Sequence, residues 1–185
     1  MTPSQLVVLL WAGSEVVIGL THPAPFRVRG QDRLSGVALI GFLVFSIYAG
    51  VLVTRYVPGA AIVQGRAFVY ALGVVLAVAG IALRWYAVLT LGRFFTTRVM
   101  TTPDQTVVQR GPYRFVRHPS YTGALLTVLG VLVMSTNWLA ILCLPIALPG
   151  FAYRIRVEEQ ALLASLGEPY RDYMRRTRRL IPFVV

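Results

Sequence analysis

Five apolar stretches, at about residues 5–21, 34–57, 67–91, 121–134 and 138–153, leave this chain little choice of fold. A helix needs about 20 apolar residues to cross a bilayer, and the first three stretches reach or approach that length. The last two are shorter. At a rise of about 1.5 Å per residue they must recruit flanking residues such as Ser120 and Arg154 or stop short of the far side. Only about Ser135-Thr-Asn137 joins them, so they make a hairpin whose outer ends return to one side. With 56% hydrophobic residues and a mean hydropathy of +0.66, the chain is too apolar for an ordinary soluble domain. The expectation is an all-α integral membrane protein of about five transmembrane helices. The fourth and fifth form a short helical hairpin, and a cytoplasmic C-terminal helical lid follows.

The positive charge sets orientation rather than a nucleic-acid partner. All 18 basic residues are arginine, giving a net charge of +11. If five runs cross, Arg27, Arg29 and Arg33 share a side with Arg93, Arg98, Arg110, Arg114 and Arg117. The groups Arg154 and Arg156, and Arg171, Arg175, Arg176, Arg178 and Arg179, fall on that side too, against Arg55 and Arg66 opposite. The positive-inside rule then puts the N-terminus outside and the C-terminus in the cytoplasm, as in a bacterial inner membrane. The arginines face anionic lipid. The first run carries Glu15 and lacks a basic leader and a cleavage site, so it reads as a retained helix. Lone Cys143, in an apolar run, reads as a packing residue.

Punctuation refines the elements. His22-Pro-Ala-Pro25 ends the first helix and Pro58-Gly59 the second, while Pro145 and Pro149 interrupt and kink the fifth. After Arg154 the pattern turns amphipathic until Gly167, and Glu168-Pro169 starts a short helix carrying Tyr170 and Tyr173. Leu180-Ile-Pro-Phe183 then turns back toward the membrane. Residues 1–92 read as the lipid-facing transmembrane wall. Residues 93–185 read as the core, with hairpin and lid.

Two polar clusters flank the hairpin. In Gly111-Pro-Tyr-Arg-Phe-Val-Arg-His-Pro-Ser-Tyr-Thr-Gly123, His118 precedes a proline and so marks a helix start, where free amides and the dipole favour an anion or electron-rich group. Gly123 admits a ligand or a second helix closely. The same residues also suit an interfacial belt of arginine and tyrosine. In Arg154-Ile-Arg-Val-Glu-Glu159 the glutamates are about 100° apart, so one alone points squarely into a given pocket. They are either a surface ion pair or a carboxylate for a cationic ammonium group beside an arginine that holds an acidic substrate. Glu15 and Arg84 are charges inside apolar runs, costly unless paired or near a surface; Arg84 reads as lying toward its helix end. No dinucleotide fingerprint, P-loop, metal-ligand spacing or Ser-His-Asp set occurs, and no metal is expected.

Taken together, residues 94–97, Asp104-Gln105, Gly111-Pro-Tyr113, Arg117-His-Pro-Ser-Tyr-Thr-Gly123, Glu158-Glu159, Leu166-Gly167, Tyr170, Tyr173 and Leu180-Ile-Pro182 resemble the isoprenylcysteine carboxyl methyltransferase family. The phospholipid N-methyltransferases share the Arg-His-Pro segment and the paired glutamates. The resemblance implies methyl transfer from S-adenosyl-L-methionine to a lipophilic acceptor entering from the bilayer, foremost a prenylcysteine-like carboxylate. It implies that Tyr113, His118, Tyr121 and Gly123 line the cofactor site. Glu159, in preference to Glu158, would hold the cofactor's amino group. Arg154, with Arg156 as the near alternative, would orient the acceptor, and Tyr170, Tyr173 and Leu180 would come from the lid. Two other enzyme readings are a methyltransferase for a phospholipid or another hydrophobic small molecule and an NADPH-dependent membrane reductase. A non-catalytic membrane binding protein is the last.

Overall fold

The computed structural model describes residues 3–22, 33–95 and 106–181. Seven α-helices follow in order: α1 (Pro3–Thr21), α2 (Arg33–Tyr56), α3 (Arg66–Leu91), α4 (Pro119–Met134), α5 (Trp138–Ile141), α6 (Leu148–Leu166) and α7 (Glu168–Arg176). The segments Ser4–Thr21, Leu34–Tyr56, Arg66–Phe94 and Trp138–Leu166 are long and apolar enough to cross a membrane. Helix α4, of 16 residues, reaches only about 24 Å, short of a hydrocarbon core of about 30 Å. The fourth of the five expected runs is thus a short helix beside four long segments. His22-Pro-Ala-Pro25, Asp104-Gln105 and Pro182-Phe183 fall partly or wholly outside the described residues.

Prolines shape the second arm of the hairpin as expected. Around Pro145 the backbone tightens into a 3₁₀ turn, Leu144–Ala147, and Pro149 then occupies the first turn of α6, where its missing N–H is harmless. Asn137 caps α5 by accepting from the Ala140 N–H at 3.2 Å, while its amide donates to the Val57 carbonyl at 3.0 Å. The Ile62 N–H donates to Thr136 O at 2.7 Å. These bonds tie the α2–α3 connection to the hairpin turn, and so define one end of the bundle.

Helices α3 and α4 are antiparallel and make the most extensive contact in the bundle. Their backbones touch because small residues face each other: Gly73, Ala77 and Gly80 meet Gly123, Thr127 and Gly130. A Cβ at Gly123 would lie 2.7 Å from both the Arg84 nitrogen and the Gly80 carbonyl oxygen. Gly123 is therefore a helix-packing residue; the close approach it permits is to α3. The Gly123→Ala variant should lose about 1–3 kcal/mol, since backbone cannot yield as a side chain does. Thermal unfolding in detergent checks this, with Gly19→Ala as control because no atom lies within 4 Å of its added Cβ.

Helix α1 runs parallel to α3. Val7 packs with Ala77, Glu15 pairs with Arg84, and the His22 ring meets Phe95 edge-on with centroids 5.4 Å apart. The C-terminal ends of α1 and α3 therefore lie together with the start of α4. The start of α2 joins them, since Ser35 contacts Arg154. Outward faces of α1 to α3 carry exposed Leu9, Leu10, Leu34, Phe45 and Val75, an apolar surface of the kind a bilayer covers.

Candidate functional site

At the end where those helices converge lies a cavity of about 570 Å³, within the size range of small-molecule sites. Its lining divides by chemistry. Val8, Trp11 and Ala12 of α1 and Leu39, Ile40 and Leu43 of α2 make an apolar half. Ile40 is 64% exposed, so this half reaches the lipid-facing surface. Tyr113, His118, Tyr121, Glu158, Tyr170 and Tyr173 make an aromatic and acidic half, with Arg84 and Arg154 also on the wall.

Local sequence explains how each group is aimed. His118 is the N-cap residue of α4, held out of helical geometry by Pro119, and its buried ring stacks on Tyr121 at 5.5 Å. The Tyr121 hydroxyl donates to Glu158 Oε2 at 2.6 Å and accepts from Arg154 Nε at 3.1 Å. It thus bridges the two charges that α6 presents. Arg154, 4% exposed, also donates through Nη1 to Ser35 Oγ at 3.0 Å. Tyr113 sits on a 3₁₀ turn, and its carbonyl accepts from the Tyr173 hydroxyl at 2.5 Å. Burial pushes the Tyr113, Tyr170 and Tyr173 phenols well above the ordinary tyrosine value, so all three are neutral.

The second glutamate has a different neighbourhood. Glu159 is 3% exposed and is absent from the cavity lining. It accepts from Arg117 Nε at 2.8 Å and from Arg179 Nη2 at 2.8 Å, with His118 Nε2 at 3.4 Å. Arg117 also donates to the carbonyls of Met174 and Thr177. The segment after α7 is then laid beside the start of α4: the Arg117 and His118 N–H groups donate to Arg178 O and Arg179 O at 2.7 and 2.9 Å. Thr122 Oγ1 donates to Leu180 O at 2.7 Å. Glu159 is the charge at which this strap is fastened.

Of the residues singled out in the sequence, Tyr113, His118, Tyr121, Arg154, Glu158, Tyr170 and Tyr173 line one cavity. Gly123, Leu180 and Glu159 do not: they serve helix packing, the strap and its anchor. Arg156 is exposed, because two residues turn a helix by about 200° from Arg154. Arg84 lies about two turns before the C-terminal end of α3 and is forked onto Glu15, with Nη2 to Oε2 at 2.6 Å. Sequence reasoning left both out of the site. Their one signal was charge within apolar runs, and that signal does not name a partner.

Comparison with known proteins places this geometry among relatives. Residues 72–164 match the model of the isoprenylcysteine carboxyl methyltransferase (ICMT) family. A probable protein-S-isoprenylcysteine O-methyltransferase of Oryza sativa subsp. indica is 33% identical over 120 residues, 63% of each chain. Protein-S-isoprenylcysteine O-methyltransferase B of Arabidopsis thaliana is 25% identical over 187 residues, covering all of this chain and 93% of its own. A solved eukaryotic intramembrane Ras methyltransferase superposes with a TM-score of 0.67 at 25% identity. That match covers 96% of this chain and 64% of the solved one. The chain thus spans just under two thirds of the length of the rice relative and of the solved structure.

Proposed function

The chain belongs to the isoprenylcysteine carboxyl methyltransferase family, and on that premise we propose that it methylates the carboxylate of a lipophilic, prenylcysteine-like acceptor with S-adenosyl-L-methionine. The observation that carries the reading is one cavity joining a carboxylate and an aromatic shell to an arginine at the end of an apolar groove. The groups present fit the cofactor's chemistry: Glu158 for its ammonium, and Tyr113, Tyr121, Tyr170 and Tyr173 for its ring and cationic sulfur. When bound, it supplies a methyl group activated by the sulfonium, which passes to a carboxylate oxygen and leaves a neutral thioether and a methyl ester.

The chain's own residues mainly orient and exclude water. A carboxylate is already nucleophilic at neutral pH, so no general base is required. Arg154 holds the acceptor's carboxylate, its guanidinium set by Tyr121 and Ser35. Residues 1–92 supply the apolar groove that opens to lipid, and the lid supplies Tyr170 and Tyr173. Shedding water from opposite charges that neutralise during transfer favours reaction. In this reading the strap and the arginine-rich ends lie in the cytoplasm of a bacterial cell, with the N-terminus outside.

Calorimetric titration of detergent-purified protein with S-adenosylhomocysteine, with NADPH in parallel, tests the reading. S-adenosylhomocysteine should bind and NADPH should not; the reverse would make the chain a reductase. Glu158→Gln should weaken S-adenosylhomocysteine about tenfold by removing the charge that faces its ammonium. Unchanged affinity would move that contact elsewhere. Labelled methyl transfer to a prenylcysteine, with phosphatidylethanolamine as the competing acceptor, separates carboxylate from amine chemistry.

A further inference from the structure

Two guanidinium groups besides Arg154 line the cavity: Arg117, which is committed to Glu159, and Arg84. Arg84 grips the Glu15 carboxylate with both Nε and Nη2, the latter at 2.6 Å, and its Nη1 donates to Ser120 Oγ at 2.9 Å. Arg154 is docked on the neighbouring residue, Tyr121. Two guanidinium groups therefore stand on consecutive residues of the first turn of α4, facing one cavity from α3 and α6. Glu15 lies one helical turn beyond Trp11 and Ala12, where the apolar groove gives way to the polar end.

An acidic acceptor sliding along that groove meets Arg84 as well as Arg154. The forked guanidinium geometry that suits a carboxylate is the same at both. We propose that Glu15 is a positioning residue: its carboxylate fills the Arg84 fork so that the acceptor's carboxylate is not captured there and passes to Arg154. This inference rests on the carboxylate-methyltransferase reading for its consequence in turnover, though not for the binding it predicts. The side chains of Arg84 and Glu15 are 15% and 33% exposed, so both charges are partly buried and border the cavity. Low dielectric there makes an uncompensated guanidinium a strong trap for an anion.

Glu15→Gln keeps the shape and one hydrogen bond to Arg84 while removing the internal anion. A prenylcysteine should then bind about tenfold more tightly, whereas its carboxamide should bind as before. Because the tighter site is unproductive, kcat and KM for the acid should fall together, and Glu15→Gln/Arg84→Gln should bring both back toward wild type. If Glu15→Gln lowers kcat without lowering KM and the double variant is no better, the pair only fastens α1 to α3 and the inference is overturned. Equal tightening of acid and carboxamide overturns it as well. Should Glu15→Gln not fold, Arg84→Gln reads the same pair from the other side. Glu15 then stands uncompensated, and affinity for the acid but not the carboxamide should weaken about tenfold; no difference between the ligands would sink the proposal. The binding arms need no methyl transfer. A wild type that binds the acid but transfers no methyl group contradicts the methyltransferase reading alone.

Discussion

Replacing Glu159 by alanine should release the C-terminal strap and cost about 3–5 kcal/mol, the penalty for stripping one partner from a buried ionic cluster. The carboxylate is 3% exposed, and the Arg117 side chain beside it is 8% exposed. Without Glu159, Arg117 retains only the carbonyls of Met174 and Thr177, and its charge stays buried. Arg179 is a weaker link. Its side chain is 45% exposed, so Arg179→Ala should cost about 1 kcal/mol or less. Limited proteolysis across residues 168–181 checks the order: cleavage should accelerate sharply in Glu159→Ala and slightly in Arg179→Ala. S-adenosylhomocysteine affinity should fall in parallel, because α7, which brings Tyr170 and Tyr173 to the cavity wall, leads directly into the strap. A Glu159→Gln variant with wild-type protection but lost affinity would instead return the ammonium contact to Glu159.

Glu158 lines the cavity and Glu159 lies under the strap, and the difference shows where sequence reasoning stops. About 100° of helix was enough to say that one glutamate faces a pocket, and Arg154 pointed to the same region of α6. Choosing between them required knowing where Arg117 and Arg179 arrive, and those residues lie 42 and 20 positions away along the chain. Gly123 was open for the same reason: its missing side chain admits either a ligand or a helix, and only the facing Gly80 decides. Local signals fared better. Pro119 fixed the start of α4 and Gly167 the end of α6, since each acts through its own backbone. The bilayer made the long spans legible, because apolar length sets them, while α4 is too short for length to assign.

Arg154→Lys should reduce kcat about 100-fold while leaving S-adenosylhomocysteine affinity within about threefold of wild type. The guanidinium donates through Nε to Tyr121 and through Nη1 to Ser35, and these two hydroxyls help to hold its plane at the cavity wall. A lysine ammonium is a point donor on a flexible stem; it can reach one of those oxygens but cannot hold a plane and present a fork at once. The acceptor's carboxylate would still be attracted but no longer aligned, and misalignment of about 1 Å costs on the order of 100-fold. Cofactor affinity is spared because Glu158 keeps its bond from Tyr121 and the aromatic residues stay in place. Arg156→Lys, on the exposed side of the same helix, should leave kcat unchanged. Steady-state kinetics on the two lysine variants separates these outcomes. A normal kcat in Arg154→Lys would mean that charge alone suffices, and loss in Arg156→Lys would assign the acceptor to a surface outside this cavity.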